Sequence, residues 1–449
     1  LEYLNLEECS NLDEVHHSLG CCRKLIQLEL RYCGSLKRFP CVNVESLEYM
    51  GLKYCYRLEK FPEIHGRMKP EIQIHMLGSG IRELPSSYFQ YQTHITELDL
   101  WGMRSLVALP SSICRLKSLV SLCVSGCSKF ESLSEEIGDL DNLEELYARW
   151  TLISRPPSSI VHLNKLKILQ FGGFKDGVYF EFPPVAEGLR SLEDLDLSEC
   201  NLIDGGLPED IGSLSSLKKL NLSRNNFEHL PRSIAQLGAL RSLNLSNCKR
   251  LTQLPELPPE LNELHVDCHT AMKSIHDFVT KRKKLQSVIF ESFDYEDDAH
   301  NDYIYNLFAD ALFYNISSLR HDISASDSLS QNVCTIWYPE KKNRPYWLDQ
   351  QTYKIPNWFH HQGWNISVSV KLPGNWYIPD KFLGFAVCYD GILIDITAQL
   401  IPVCDDGMSC ITQKLVLSEC DTQSSGDSER YTPIHFFLVP LAVLWDTSK

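Results

Sequence analysis

Apolar positions return along the first part of the chain in a fixed frame, L-x-x-L-x-L-x-x-C/N. It is plainest at Leu192-Glu193-Asp194-Leu195-Asp196-Leu197-Ser198-Glu199-Cys200. The same spacing recurs at Leu25/Leu28/Leu30/Cys33, Leu119/Leu122/Val124/Cys127, Leu217/Leu220/Leu222/Asn225 and Leu240/Leu243/Leu245/Cys248. The period is about 21 to 26 residues, which falls among the solenoid repeats. In x-L-x-L-x the leucines alternate with polar residues, so each frame predicts one short strand with an apolar inner side and a polar outer side.

Followed in order, the frame starts at Leu1/Leu4/Leu6, degenerates around Ile74 and Met76, and ends with Leu261/Leu264/Val266 after about a dozen leucine-rich repeats. A single rung has nothing against which to bury its leucines, so stability requires stacking. The ninth residue, Cys9, Cys33, Cys55, Cys127, Cys200, Cys248 or Asn225, should turn the chain off the strand. Between strands runs L-P-x-S-I, as in Leu109-Pro110-Ser111-Ser112-Ile113 and Leu230-Pro231-Arg232-Ser233-Ile234, where proline opens a short helical turn and serine can cap it. Gly172 to Pro184 is a long insertion expected to protrude.

The pattern changes after Glu256-Leu257-Pro258-Pro259. A linker follows, with a basic run at Lys281-Arg282-Lys283-Lys284, an acidic stretch from Glu291 to Asp302 and helical spacing from Tyr303 to Leu319. Strand-like runs then appear at Val333 to Tyr338, Ile366 to Leu372, Leu383 to Tyr389, Ile392 to Leu400, Gln413 to Leu417 and Ile434 to Leu444. The expected organisation is therefore an α/β solenoid over 1–270, a helical and acidic linker over 271–332, and an all-β sandwich domain over 333–449. Because Leu1 already lies inside a repeat, the chain reads as a piece of something longer. The apolar run from Ile434 to Trp445 is shorter than the about 20 residues a membrane helix needs, and no membrane partner is expected.

The net charge is −15, which repels phosphate backbones and disfavours nucleic acid. Of 17 cysteines, six hold the turn position, and no C-x-x-C pairs stand out, so a reducing compartment is the better reading. Sequons at Asn221, Asn244, Asn315 and Asn365 keep an extracellular receptor domain open as an alternative.

Two sets of residues resemble a known family. The repeat with its Leu254-Pro255-Glu256-Leu257-Pro258-Pro259 stop is similar to the repeat domain of plant intracellular immune receptors of the TIR–nucleotide-binding–LRR class. The line Ile355-Pro356-Asn357-Trp358-Phe359, then Asn375-Trp376, then Phe382-Leu383-Gly384-Phe385-Ala386-Val387-Cys388 resembles the jelly-roll/Ig-like domain that follows the repeats in that class, and Asn315 to Leu329 with Trp445-Asp446-Thr447-Ser448-Lys449 look like its virus-resistance branch. The resemblance implies a fragment, cut short in its β domain, that binds a pathogen effector or a viral coat or replication protein. It also implies contacts with the receptor's own TIR and NB-ARC domains, a tetramer formed only through those missing domains, and a cytoplasmic or nucleo-cytoplasmic location. Autoinhibition of the nucleotide-binding domain is the nearest rival role.

No arrangement of residues argues for catalysis, a cofactor or a metal. His265-x-Asp267-Cys268-His269 and His360-His361 have metal-like composition but read as ordinary strand and loop residues, and Cys388 as a buried thiol. A lectin role for the β domain also stays open. About a dozen strands at roughly 4.8 Å make a row of about 50 Å, ample for a protein interface of about 800 Å² per partner. Candidate contacts at its outward positions are Tyr3, Arg31, Tyr32, Tyr49, Tyr54, Trp101, Tyr147, Arg149 and Trp150, with Tyr179 and Phe180 from the insertion. Trp358 and Phe359 read as domain core.

Overall fold

In the computed structural model, residues 1–267 are described apart from 66, 70, 92, 174–177 and 187. Beyond them the structure describes strands at 287–290, 333–339, 384–390, 397–399, 414–416 and 431–440. The chain divides into two compact units, Leu1–Pro259 and Glu260–Lys449.

In the first unit each frame forms a strand where the x-L-x triplet stands. Strands β1 (Tyr3–Asn5), β2 (Gln27–Glu29), β4 (Tyr49–Gly51) and β6 (Gln73–His75) pair in parallel, the degenerate fourth rung included. A parallel run follows through β7 (Glu97–Asp99), β8 (Ser121–Cys123), β9 (Glu145–Arg149), β10 (Ile168–Gly172), β11 (Asp194–Asp196), β12 (Lys219–Asn221) and β13 (Ser242–Leu245). Leucine faces leucine across every pair from β8 to β13, as in Leu122↔Leu146 and Leu195↔Leu220, and these side chains are buried. Each contributes roughly 1.5–3 kcal/mol relative to exposure.

A second hydrogen-bond ladder runs beside the strands. The eighth residue of each described frame from Glu8 to Asn247 has positive φ: Glu8, Tyr32, Tyr54, Gly78, Gly102, Gly126, Trp150, Gly173, Glu199, Arg224 and Asn247. That left-handed turn aims its amide at the next rung. Tyr54 N–H donates to Leu77 O at 2.9 Å, Gly78 to Trp101 O at 2.8 Å, Gly126 to Arg149 O at 2.8 Å and Trp150 to Gly172 O at 2.6 Å. The bond from Gly78 carries the backbone ladder from β6 to the rung of β7.

At the ninth position four of the six cysteines, and Asn225, bond the preceding rung. Sγ–H donates back to the preceding rung at Cys33 (Leu6 O, 3.0 Å), Cys55 (Leu30 O, 3.1 Å), Cys127 (Leu100 O, 3.2 Å) and Cys248 (Leu222 O, 3.3 Å). Burial pushes the Cys55 and Cys127 thiols up to about 12, so they remain protonated donors. Asn225 does more: its Oδ1 accepts from Cys200 and Leu202 N–H, and its Nδ2 donates to Leu197 and Leu222 O. Cys9 is exposed.

Between strands the chain forms 3-10 turns at Ser111–Arg115, Glu135–Asp139, Ser158–His162, Ile211–Ser213 and Arg232–Gln236. Serine does not cap them. Pro110, Pro157 and Pro231 occupy three of the caps, Ser134 stands at a fourth without a side-chain cap bond, and the hydroxyls of Ser112, Ser134, Ser159 and Ser233 are buried without a hydrogen-bond partner among the described residues. In the early rungs a small parallel pair, β3 (Val42–Asn43) with β5 (Ile64–His65), is added, and Ser86–Tyr91 is α-helical. The insertion is partly tucked in: Phe180 packs on Phe171 at 5.3 Å between ring centroids.

The second unit contains the last predicted rung, β14 (Glu263–Val266), followed in parallel by β15 (Ser287–Phe290) and β16 (Val333–Pro339). Strand β20 (Tyr431–Pro440) joins β16 and β17 (Gly384–Asp390) by antiparallel pairing, and β18 (Thr397–Gln399) pairs with β19 (Lys414–Val416). The predicted strand at Ile366 to Leu372 and helix at Tyr303 to Leu319 lie outside the described residues, as do Cys268, His269, His360 and His361.

Candidate protein-binding face

The outward residues of the parallel strands line up in rows because the register is unshifted. Tyr3, Gln27, Tyr49 and Gln73 form one row. Glu97, Ser121, Glu145, Ile168 and Asp194 form another, with Asp99, Cys123, Tyr147, Gln170 and Asp196 beside it. Tyr32, Tyr54 and Trp150 do not stand on the strands. They occupy the left-handed eighth position just past the strand ends, and Trp101 occupies the seventh.

The predicted contacts fall into three groups. Exposed aromatics are Tyr3, Tyr32, Trp101 (45%), Trp150 (51%) and Tyr179 (57%). Tyr32 stacks on Tyr54 at 4.9 Å, and Tyr54 covers the next rung, where a Cβ on Gly78 would come within 2.6 Å of its ring. Trp150 covers Gly173 in the same way, at 2.2 Å. Tyr56, exposed and 6.1 Å from Tyr54, extends this stripe and was not anticipated, since it lies outside the strand frame.

The second group is held by neighbours. Arg31 binds Glu7 at 3.0 Å and the buried Glu29 at 3.1 Å, and Glu29 holds the guanidinium above its ordinary pKa. Burial, then Glu29, raises the Tyr49 phenol; burial, then Glu145, raises that of Tyr147, whose hydroxyl donates to Glu145 at 3.3 Å. Arg149 reaches across the Gly172-Gly173 rung to Ser198 Oγ at 2.5 Å and Asp196 at 3.0 Å, with its guanidinium 5.3 Å from the Trp150 ring.

The third group is Phe180 alone. Offered as a surface contact, it is 1% exposed and belongs to the core, because the insertion needs an apolar anchor against Phe171. Among the described residues no group of three or more His, Cys, Asp or Glu could hold a metal ion, and His265 bonds Glu263 at 2.7 Å. Among those residues no helix is long and apolar enough to cross a membrane.

Comparisons with known proteins agree along the chain. Residues 351–449 match the family model of the C-JID domain, and 43–140 match the leucine-rich repeats of the RPS4B-like disease resistance proteins. Residues 190–249 and 239–261 match general leucine-rich-repeat models. TMV resistance protein N of Nicotiana glutinosa is 73% identical over 449 residues, which are 100% of this chain and 38% of that protein. Disease resistance-like protein DSC1 of Arabidopsis thaliana is 32% identical over 402 residues, 86% of this chain and 31% of that protein. Disease resistance protein RPS4B of Arabidopsis thaliana is 27% identical over 320 residues, 66% of this chain and 25% of that protein.

Proposed function

The chain belongs to the plant disease-resistance proteins of the TIR–nucleotide-binding–LRR class, as a leucine-rich-repeat and C-JID region, and from that premise we propose that it is the part that senses the pathogen. These regions are the non-catalytic domains of such receptors. The chain spans 38% of the length of TMV resistance protein N, so signalling belongs to parts of the receptor beyond it.

On this reading the strand face of the repeats, together with a jelly-roll/Ig-like domain over 333–449, binds a pathogen protein directly. A viral protein is the first choice, because the relative at 73% identity is named for resistance to a virus. Binding releases the receptor's own NB-ARC and TIR domains, which then assemble as a tetramer in the cytoplasm. The observation that carries the reading is the set of half-exposed aromatic residues, Tyr32, Trp101 and Trp150, along one side of the sheet. Exposed aromatics that leave so much apolar surface in water are characteristic of protein interfaces.

The test is a direct titration of the 449-residue chain against purified viral and microbial proteins. A ligand should be found whose affinity falls by about 2 kcal/mol or more when Tyr147 and Trp150 are both replaced by Ala. Unchanged affinity would remove these residues from the site.

A further inference from the structure

Carboxylates on the early rungs are neutralised where they stand. Glu7 and Glu29 share Arg31. Later on the same face, Asp196 pairs with Arg149, and Glu199 with Arg149 and Arg224. Between these lies a row that makes no ion pair, although Lys219 on β12 stands in register beside its last member, Asp194, and draws on that carboxylate. Glu97, Glu145 and Asp194 face outward in register on alternate strands β7, β9 and β11, and Asp99 stands beside Glu97. None of the four is in an ion pair among the described residues. The one Lys or Arg within strands β7–β11 is Arg149, and it is already engaged. At about 4.8 Å per strand the three carboxylates of the row stand about 10 Å apart.

Two half-exposed indoles stand past the ends of strands that carry this row, Trp101 after β7 and Trp150 after β9. Trp150 holds its place in a left-handed backbone conformation that costs a non-glycine residue about 1 kcal/mol. Burial of its own ring does not offset that cost, since about half of it remains in water. Gly102 and Gly126 hold the eighth position between the two indoles, so another backbone can approach closely there. A guanidinium over this indole is already seen in Arg149, 5.3 Å from the Trp150 ring.

Carboxylates outside any ion pair, on strands that lead into half-exposed indoles, suit a cationic side chain, which gains from both. An apolar partner would desolvate the acids without pairing them, and an acidic one would be repelled. We infer that strands β7–β11 dock a positively charged segment of the protein partner, its Lys or Arg side chains facing Glu97, Glu145 and Asp194 and stacking on Trp101 and Trp150. In a polyproline II segment, with three residues per turn at about 3.1 Å per residue, cations at every third residue face one side about 9 Å apart, close to the about 10 Å spacing. This inference rests on the proposal that the strand face binds a protein, and it names the chemistry of the segment bound.

The probe is a peptide of about four Arg-Gly-Ser units, which in that conformation sets arginines about 9 Å apart, with a Glu-Gly-Ser peptide as control. Both are titrated into the 449-residue chain while tryptophan fluorescence is followed at low and high salt. The arginine peptide should bind saturably, more weakly as salt rises, and the glutamate peptide should not bind. Glu97→Gln/Glu145→Gln/Asp194→Asn should lower affinity about tenfold or more, and Trp101→Ala/Trp150→Ala about threefold or more. The matched variant Glu131→Gln/Glu136→Gln/Asp139→Asn, which removes as much charge away from this row, should leave affinity unchanged. Equal losses in the two triple variants, or no binding at all, would overturn the inference. So would a pathogen ligand that needs Tyr147 and Trp150 but ignores both salt and the first triple variant; that outcome would leave the sensor reading standing. Specific capture of the arginine peptide with no pathogen ligand found would do the reverse.

Discussion

The rungs of β1 to β6 and those of β7 to β13 have the same interior and different exteriors. Inward positions are buried in both, Leu28 and Met50 in the first set and Leu122, Leu146 and Leu195 in the second, while Leu4 of β1 and Ile74 of β6 are half-buried. Outside, the early rungs carry tyrosines and neutralise Glu29 with Arg31, while the later ones leave Glu97 and Glu145 outside any ion pair and set Trp101 and Trp150 past the ends of the same strands. On the connections, both sets use 3-10 turns, His17–Cys21 among the early rungs, and the early rungs add the β3–β5 pair. The difference teaches that the repeat frame constrains what points in and leaves what points out free to diverge from one part of the solenoid to the next.

If the interiors are equivalent, Met50→Ala and Leu146→Ala should each destabilise the chain by about 2–5 kcal/mol, read from urea unfolding midpoints. A large loss at one and a small loss at the other would break the equivalence. The turn position should separate the two sets more sharply. Asn225→Ala strands two buried amides and two carbonyls and should cost about 2–3 kcal/mol, against about 1 kcal/mol for Cys55→Ala, which gives up one weak donor.

Charge provides the next contrast. Arg31→Met leaves buried Glu29 without its partner and should lower the unfolding midpoint, whereas Glu97→Gln should leave it unchanged or raise it slightly. Asp194 adds a pH dependence. Burial raises its folded-state pKa, opposed by Lys219, so its contribution to stability is fully present below its unfolded pKa and is lost as pH rises through the folded value. Asp194→Asn should therefore be the more stable variant at neutral pH, and its advantage should vanish on acidification through the carboxylate range. The smallest effect expected is a gain of about 0.5 kcal/mol for Glu8→Asn, since asparagine tolerates the left-handed conformation better.

Much of this architecture could be read from leucine spacing, because the inward positions answer to burial alone and burial leaves a periodic mark. The degenerate rung at Ile74 was legible for the same reason, and so was the thiol at the turn. Phe180 was misread because an insertion has no period to say which aromatic anchors it and which, like Tyr179, stays in water. The absence of serine caps escaped because proline holds the capping position in three of the turns, a competition that propensity alone does not decide, while Ser134 holds it in a fourth and makes no cap bond. The acidic row escaped because its members lie about 24 residues or more apart and meet only once the register is known.

The left-handed residue on each rung gives its amide to the neighbouring rung, and the amide is the same whatever side chain is attached. Side chains at that point can therefore be exchanged without rewiring the stack. Rungs two apart are about 10 Å apart, far enough for such exchanges to act almost additively. A scaffold of this kind lets specificity drift in small independent steps, so that a lineage facing a changing adversary can revise its grip locally while keeping its spine.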